Sequence, residues 1–178
     1  MTVLDVGCGD SPHGDVNVDL YLDPNIHRKE SIRGKKIRNF VLADCHSLPF
    51  QDKSFDIVFS SHLLEHKGVN LAKALREWLR VSKTKLIIRV PNLFRRSKFD
   101  SYHDKIFTDY TVRLLFKKYN IKINHRDAEW ERLYVPKKGL LIYLASVIHN
   151  RKIKKRIKNP LYYLPCPLHT EIEVIVHL

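Results

Sequence analysis

Val3-Leu4-Asp5-Val6-Gly7-Cys8-Gly9, near the start of the chain, combines a short apolar run with a turn that contains two glycines. The apolar side chains of Val3, Leu4 and Val6 predict a short buried strand. The two glycines allow a backbone with positive φ and let a ligand approach it closely. In an open α/β sheet, nucleosides bind at the carboxyl ends of the strands, next to such turns. The segment therefore predicts a nucleoside site at the end of the first strand.

The rest of the chain alternates between apolar runs of strand length and of helix length. Further strands are predicted at residues 16–19, 40–44, 55–60, 85–90, 121–125 and 171–177, with helices at 62–81 and 109–119. This alternation predicts a Rossmann-like, doubly wound α/β sheet that is mostly parallel, with an antiparallel last strand. Only residues 10–15 separate the glycine turn from the second strand, so the first crossover should shorten to about one helical turn.

The length of 178 residues predicts a single domain, with a cofactor half at residues 1–92 and a substrate half at residues 93–178. Three cysteines without metal or disulfide spacing favour a cytoplasmic setting. The chain opens on a core strand, so we expect no signal peptide. No apolar run is long enough to span a membrane.

The formal net charge of +13 is concentrated in the second half of the chain. Residues 136–167 read as an insert in which an apolar run at 139–148 precedes six basic residues at 151–158. This pattern favours an anionic partner: either a membrane surface, where the protein would be peripheral, or a nucleic acid. The alternatives are a lid helix, a homodimer contact or a solubilising face. If the partner is anionic, we expect it to bind through residues 151–158.

Acidic residues stand at the glycine turn and at the ends of the second and third strands, at Asp5, Asp19 and Asp44. A dinucleotide site would want a third glycine where this chain has Pro12, and no phosphate-binding Gly-Lys-Ser/Thr sequence is present. Carboxylates accept hydrogen bonds from ribose hydroxyls and from the amino group of adenine. The pattern therefore favours a nucleoside that carries an amino acid in place of phosphates.

Four motifs, in this order, resemble class I S-adenosylmethionine-dependent methyltransferases of the subgroup often labelled type 11. They are the first glycine motif at residues 3–9, the segment from 42 to 58, Leu63-Leu64-Glu65-His66, and the His-x-x-x-Phe-Thr element at 103–108. The resemblance covers roughly residues 1–125 and the closing strand.

The resemblance implies that S-adenosylmethionine is the cofactor. The residues it assigns to the cofactor lie at the ends of the first four strands: Asp5, Gly7, Cys8, Gly9, Asp19, Leu20, Asp44, Cys45, Ser60, Ser61 and His62. Asp19 would bind the ribose, with Asp15 and Asp23 as alternatives because the first crossover is short. Asp44 would face the adenine amino group.

Methyl transfer from a sulfonium is an in-line displacement in which the protein supplies alignment and, where needed, a base. His103 and His62 are the candidate catalytic residues. The alternative for His103 is that, with Thr108, it caps a helix and shapes the pocket floor. We predict no metal site, because the ten histidines are scattered.

The predicted function is methyl transfer to a small-molecule, lipid-like or saccharide-linked acceptor. An RNA or DNA methyltransferase and a non-catalytic basic binding module are the alternatives.

Overall fold

The structure is a computed structural model that describes residues 1–23, 33, 36–92, 103–105, 107–126 and 171–178. The insert predicted at 136–167, with its basic run at 151–158, lies outside these residues. The described strands and helices belong to one compact unit built from residues 1–126 and 169–178. That the whole chain is a single domain stays a prediction.

A seven-stranded sheet forms the centre of this unit. Its strands are β1 Val3–Val6, β2 Val16–Asp19, β3 Phe40–Leu42, β4 Phe55–Ser61, β5 Ser82–Pro91, β6 Asn120–Arg126 and β7 Glu171–His177. Their order across the sheet is β3-β2-β1-β4-β5-β7-β6. All neighbours are parallel except β7, which runs antiparallel to both β5 and β6. The predicted doubly wound sheet with an antiparallel last strand is confirmed.

Two helices are described, α1 at Leu71–Val81 and α2 at Asp109–Leu115. The prediction that the first helix begins at His62 is wrong. Asn70 is its N-cap, and its side chain accepts a hydrogen bond from Lys73 N at 3.1 Å. Ahead of it the chain turns at Gly68, where φ is +85°. The apolar residues at 63 and 64 therefore belong to a turn and not to the helix stripe.

The connection between β1 and β2 is short, as predicted, and contains one hydrogen-bonded turn, in which Ser11 N donates to the carbonyl of Cys8 at 3.2 Å. This turn is not helical, because Gly9 has a φ of +56°. The chain instead folds back tightly. A Cβ at Gly14 would lie 2.7 Å from the backbone nitrogen of Asp5, so only glycine fits there. Asp15 then bonds to Val3 through its backbone N–H, at 2.8 Å, and through its carboxylate, at 3.0 Å.

The core lies on the face of the sheet that packs against α1. This helix buries Ala74, Leu75, Trp78 and Val81. The indole N–H of Trp78 donates to the carbonyl of Cys45 at 3.1 Å, which ties the helix to the loop after β3. No helix in the described ranges is both long and apolar enough to cross a bilayer.

Candidate cofactor site

The glycine turn after β1 folds against the end of β2. Gly7 and Gly9 both have positive φ, +76° and +56°. The backbone N–H groups of Gly7 and Cys8 donate to the carbonyl of Val18, at 2.8 and 3.0 Å. Apart from its chain neighbours, no atom of the described residues lies within 4 Å of the position that a Cβ of Gly9 would occupy. One side of this turn is therefore open.

Asp19, at the end of β2, holds this turn in place. Its carboxylate accepts from Gly9 N and from Tyr21 N, both at 2.9 Å. Asp15 lies at the opposite end of β2, beside the start of β1, and Asp23 forms a two-pronged pair with Arg33. Of the three acids proposed for the ribose, Asp19 is the one that the structure brings to the glycine turn.

Asp44 stands just beyond the end of β3 and is held by His46. One carboxylate oxygen accepts from the backbone N–H of His46 at 2.8 Å and lies 2.6 Å from its ring Nδ1. The other ring nitrogen accepts from Asn70 N at 2.8 Å, which places the ring proton on Nδ1. Desolvation works against the charge, but the bonds from His46 hold the pKa of Asp44 below its usual range. Asp44 is therefore an oriented, ionised acceptor.

Exposed apolar side chains lie around these two acids. Leu20 is 46% exposed, Tyr21 is 49% exposed and Leu42 is 56% exposed. Leu42 is the register partner of Asp19 across β2 and β3. Apolar surface beside a few fixed polar groups is typical of a small-molecule site. A flat base would cover these side chains while its polar edge meets the acids.

Cys45, at this edge, does not present a reactive thiolate. Burial, with the nearby charge of Asp44, raises the pKa of Cys45 to about 12. Cys8 is buried. A role for either residue through its backbone groups stays a prediction.

Asp5, inside the motif of the first strand, is almost fully buried. It accepts from His13 N at 2.8 Å, and this bond closes the segment that follows the glycine turn. Burial raises its pKa to about 6, against the opposing effect of the His13 N–H. From its buried position, Asp5 thus holds the segment after the glycine turn in place.

The end of β4 carries the next group of predicted residues. Ser60 is buried, and its hydroxyl donates to the carbonyl of Val6 at 2.8 Å. It therefore joins β4 to the residue that precedes the glycine turn. Ser61 is partly exposed and is the register partner of Arg89 on β5.

His62 follows Ser61 in a left-handed conformation, with φ of +53°. Its Nε2 lies 2.7 Å from Glu171 and its Nδ1 lies 3.2 Å from Glu65. Burial alone would lower the pKa of His62, but the two carboxyl groups raise it to about 9. A histidine that is protonated at neutral pH has no lone pair with which to act as a base. Sequence reasoning missed Glu171, because no local pattern links residues 109 positions apart.

His103 lies beside His66. The two residues form an isolated backbone bridge, and their ring centroids are 4.6 Å apart. Thr108 caps α2 by accepting from Thr111 N at 3.2 Å, as the alternative interpretation proposed for it. Its proposed companion, His103, contacts the turn after β4. Glu65 and His66, which belong to one of the four motifs, are the additional residues of this region.

Comparison with known proteins supports the same interpretation. Residues 4–88 match the family model described as a methyltransferase domain. An uncharacterized protein of Methanocaldococcus jannaschii is 30% identical over 150 residues, which is 82% of this chain. The chain spans 60% of the length of that relative.

Two solved structures show the fold. One belongs to the complex between the Haloferax volcanii Trm112 methyltransferase activator and a candidate methyltransferase. It matches with a TM-score of 0.61 and 14% identity, covering 99% of this chain and 81% of the other. The other is the plantazolicin methyltransferase BpumL in complex with S-adenosylhomocysteine, with a TM-score of 0.54, 14% identity, and 98% and 75% coverage. This is the fold of proteins that bind S-adenosylmethionine and its product. The chain is therefore similar to class I S-adenosylmethionine-dependent methyltransferases, in its fold and in the sequence of residues 4–88.

Proposed function

We propose that the protein transfers a methyl group from S-adenosylmethionine to a small-molecule, lipid-like or saccharide-linked acceptor. The observation that carries the cofactor half of this proposal is the pair of oriented carboxylates at adjacent strand ends. Asp19 is fixed by Gly9 N and Tyr21 N, and Asp44 is fixed by His46. Both lie beside exposed apolar side chains at the edge where α/β sheets bind nucleosides.

In this proposal, different residues bind different parts of the cofactor. Asp19 would accept from the ribose hydroxyls, and Asp44 from the adenine amino group. The open side of Gly9 admits the amino acid portion of the cofactor close to the backbone. When bound, the cofactor supplies an electrophilic methyl group on its sulfonium, so the protein mainly has to align the acceptor.

The acceptor side is formed by the end of β4 and by the segment around His103. His62 would place a fixed positive charge there, balanced by Glu171 and Glu65. His103 remains the candidate base, and its test is the loss of turnover in His103→Gln with cofactor affinity retained.

Calorimetry with S-adenosylhomocysteine tests the cofactor half of the proposal. The expected result is one site per chain, weakened at least tenfold in Asp44→Ala. Asp15→Asn, at the opposite edge of the sheet, is the matched control and should bind as the wild type does. Absence of binding in the wild type would contradict the proposal and favour the non-catalytic binding module.

The inosine analogue of S-adenosylhomocysteine sharpens this test, because it lacks the amino group that Asp44 is proposed to contact. Wild-type protein should bind it at least tenfold more weakly than the adenosine compound. In Asp44→Ala the two ligands should bind alike. If both proteins preferred the adenosine compound over the inosine compound by the same factor, Asp44 would not be the residue that contacts the amino group.

For the basic run at 151–158, we propose an anionic partner. The run's charge supports this idea, and a membrane surface or a nucleic acid would supply the anions. Anionic vesicles and a random RNA provide the two probes. Replacement of the six basic residues by glutamine should abolish whichever binding is found, and binding that survives this change would exclude the run.

A further inference from the structure

We propose that Glu65, His66 and His103 form a binding site for a divalent transition-metal ion. One carboxyl oxygen of Glu65 and one ring nitrogen from each histidine lie within 4.8 Å of one another. The three residues come from two segments, the turn after β4 and the segment that precedes α2. This site is separate from the carboxylates proposed for the cofactor, and a metal bound there would take the ring lone pair of His103 and so replace that residue as the candidate base.

The backbone holds these two segments in register. His66 and His103 form a bridge, and Asp104 N donates to the carbonyl of Glu65 at 3.2 Å. The ammonium group of Lys105 also donates to the carbonyl of His66 at 2.7 Å. The ligand atoms are therefore brought together by structure that does not depend on their own side chains.

The carboxyl group of Glu65 is the most telling feature. The residue is completely buried, and its Oε1 is engaged by His62. Its Oε2 is buried and makes no hydrogen bond in the described part of the chain. Leaving a buried carboxyl oxygen unsatisfied is costly, by roughly 1–3 kcal/mol or more. A bound cation would provide the missing interaction.

His66 has the hydrogen bond expected of a metal ligand. Its Nε2 lies 2.9 Å from the carbonyl oxygen of His62, and a carbonyl oxygen can only accept. The ring proton is therefore on Nε2, and the lone pair of the neutral ring is on Nδ1. Histidines that bind metals commonly donate their other N–H to a backbone carbonyl in this way.

The donor set indicates the class of metal. Two imidazole nitrogens and one carboxyl oxygen suit Zn²⁺ or Fe²⁺, with positions left open for water or substrate, and do not suit Mg²⁺ or Ca²⁺. With ligand bonds of about 2.0–2.2 Å, the three donor atoms would have to lie closer together than the 4.8 Å that bounds their separations here.

A second cluster of potential ligands, Asp44, Cys45 and His46, does not meet the same conditions. Both ring nitrogens of His46 are already engaged, one by Asp44 and the other by Asn70 N. The raised pKa of Cys45 keeps its thiol protonated. This contrast restricts the inference to the first cluster.

The test is metal binding by the full chain. Calorimetry measures the binding of Zn²⁺, and absorption spectroscopy detects the binding of Co²⁺. Protein stripped with a chelator should bind one equivalent of Zn²⁺, and the Co²⁺ form should show visible d–d bands. His103→Ala should weaken the binding of Zn²⁺ at least tenfold and remove the Co²⁺ bands. His125→Ala, an exposed histidine paired with Asp109, is the matched control and should leave both unchanged.

Glu65→Gln provides a second variant, which keeps the size of the buried side chain while weakening the ligand. It should also lose affinity for Zn²⁺, with its circular dichroism spectrum unchanged. Wild-type protein that binds no Zn²⁺, or His103→Ala protein that binds it as tightly as the wild type, would overturn the proposal. Neither outcome depends on S-adenosylhomocysteine binding, so the site can fail while the proposed function stands.

Discussion

Asp5, a buried acid beneath the glycine turn, makes the stability of the fold depend on pH. Its pKa is about 6 in the folded protein, against 3.8 for an ordinary aspartate. The folded state therefore holds this proton more tightly than the unfolded state. Stability from this group is fully present below pH 3.8 and is lost as the pH rises through 6, by about 3 kcal/mol in all.

Urea unfolding between pH 4 and 7 measures this effect. In the wild type, Asp5 should contribute a fall in the free energy of unfolding across this range, and Asp5→Asn should remove that part of the slope. Asp15→Asn is the control, since it also lies beside β1 and should retain the wild-type slope. An unchanged slope in Asp5→Asn would mean that another group is responsible.

A substitution at Gly9 tests two effects, backbone strain in the folded protein and contact with the ligand. Its φ of +56° makes alanine unfavourable there by about 1–2 kcal/mol, although no described residue beyond its chain neighbours crowds the added methyl group. The methyl group would, however, project into the open side of the turn. Gly9→Ala should therefore lose this stability in urea and bind S-adenosylhomocysteine at least tenfold more weakly.

Gly68 offers the matched control, because its φ is +85° and its Cβ position is equally open. Gly68→Ala should lose similar stability while it retains affinity for the ligand. If both variants lost affinity alike, the effect of Gly9 would reflect general destabilisation.

At the scale of elements, the start of α1 depends on Asn70 and not on the apolar residues before it. The Asn70 side chain satisfies Lys73 N, and its backbone N–H donates to His46. Asn70→Ala should reduce the free energy of unfolding by about 1 kcal/mol, because an N-cap acceptor is lost. Asn70→Asp keeps the acceptor and should be close to wild type in the same urea experiment. Equal losses in both variants would show that the cap contributes little.

The same helix shows what sequence patterns can and cannot predict. The strands, the glycine turn and the acids Asp19 and Asp44 were predictable because each depends on neighbours in the chain. The predicted start of α1 was wrong because Leu64 continues the apolar spacing of the helix toward the N-terminus. The chain turns at Gly68, however, and the helix begins only after this turn. His62 and Glu171 could not be paired in advance, since β7 reaches β5 only through the folded sheet.

At the scale of the whole molecule, the order of the strands converts distant residues into one site. β1, β2 and β4 end at the same edge, and the antiparallel β7 begins there. Glu171 at the first position of β7 thus meets His62 at the end of β4. A sheet with a parallel last strand would place the start of that strand, and this carboxyl group, at the opposite edge.

Because the proposed cofactor contacts several strand ends at once, its binding should stabilise the whole fold. A ligand that binds only the folded state at 100 times its Kd adds about 2.7 kcal/mol to the free energy of unfolding. S-adenosylhomocysteine should therefore shift the urea midpoint upward, with the slope of the transition unchanged. Asp44→Ala should require at least tenfold more ligand for the same shift, whereas Asp15→Asn should follow the wild type. A midpoint that does not move at saturating ligand would contradict the proposal that this fold binds S-adenosylmethionine and its product.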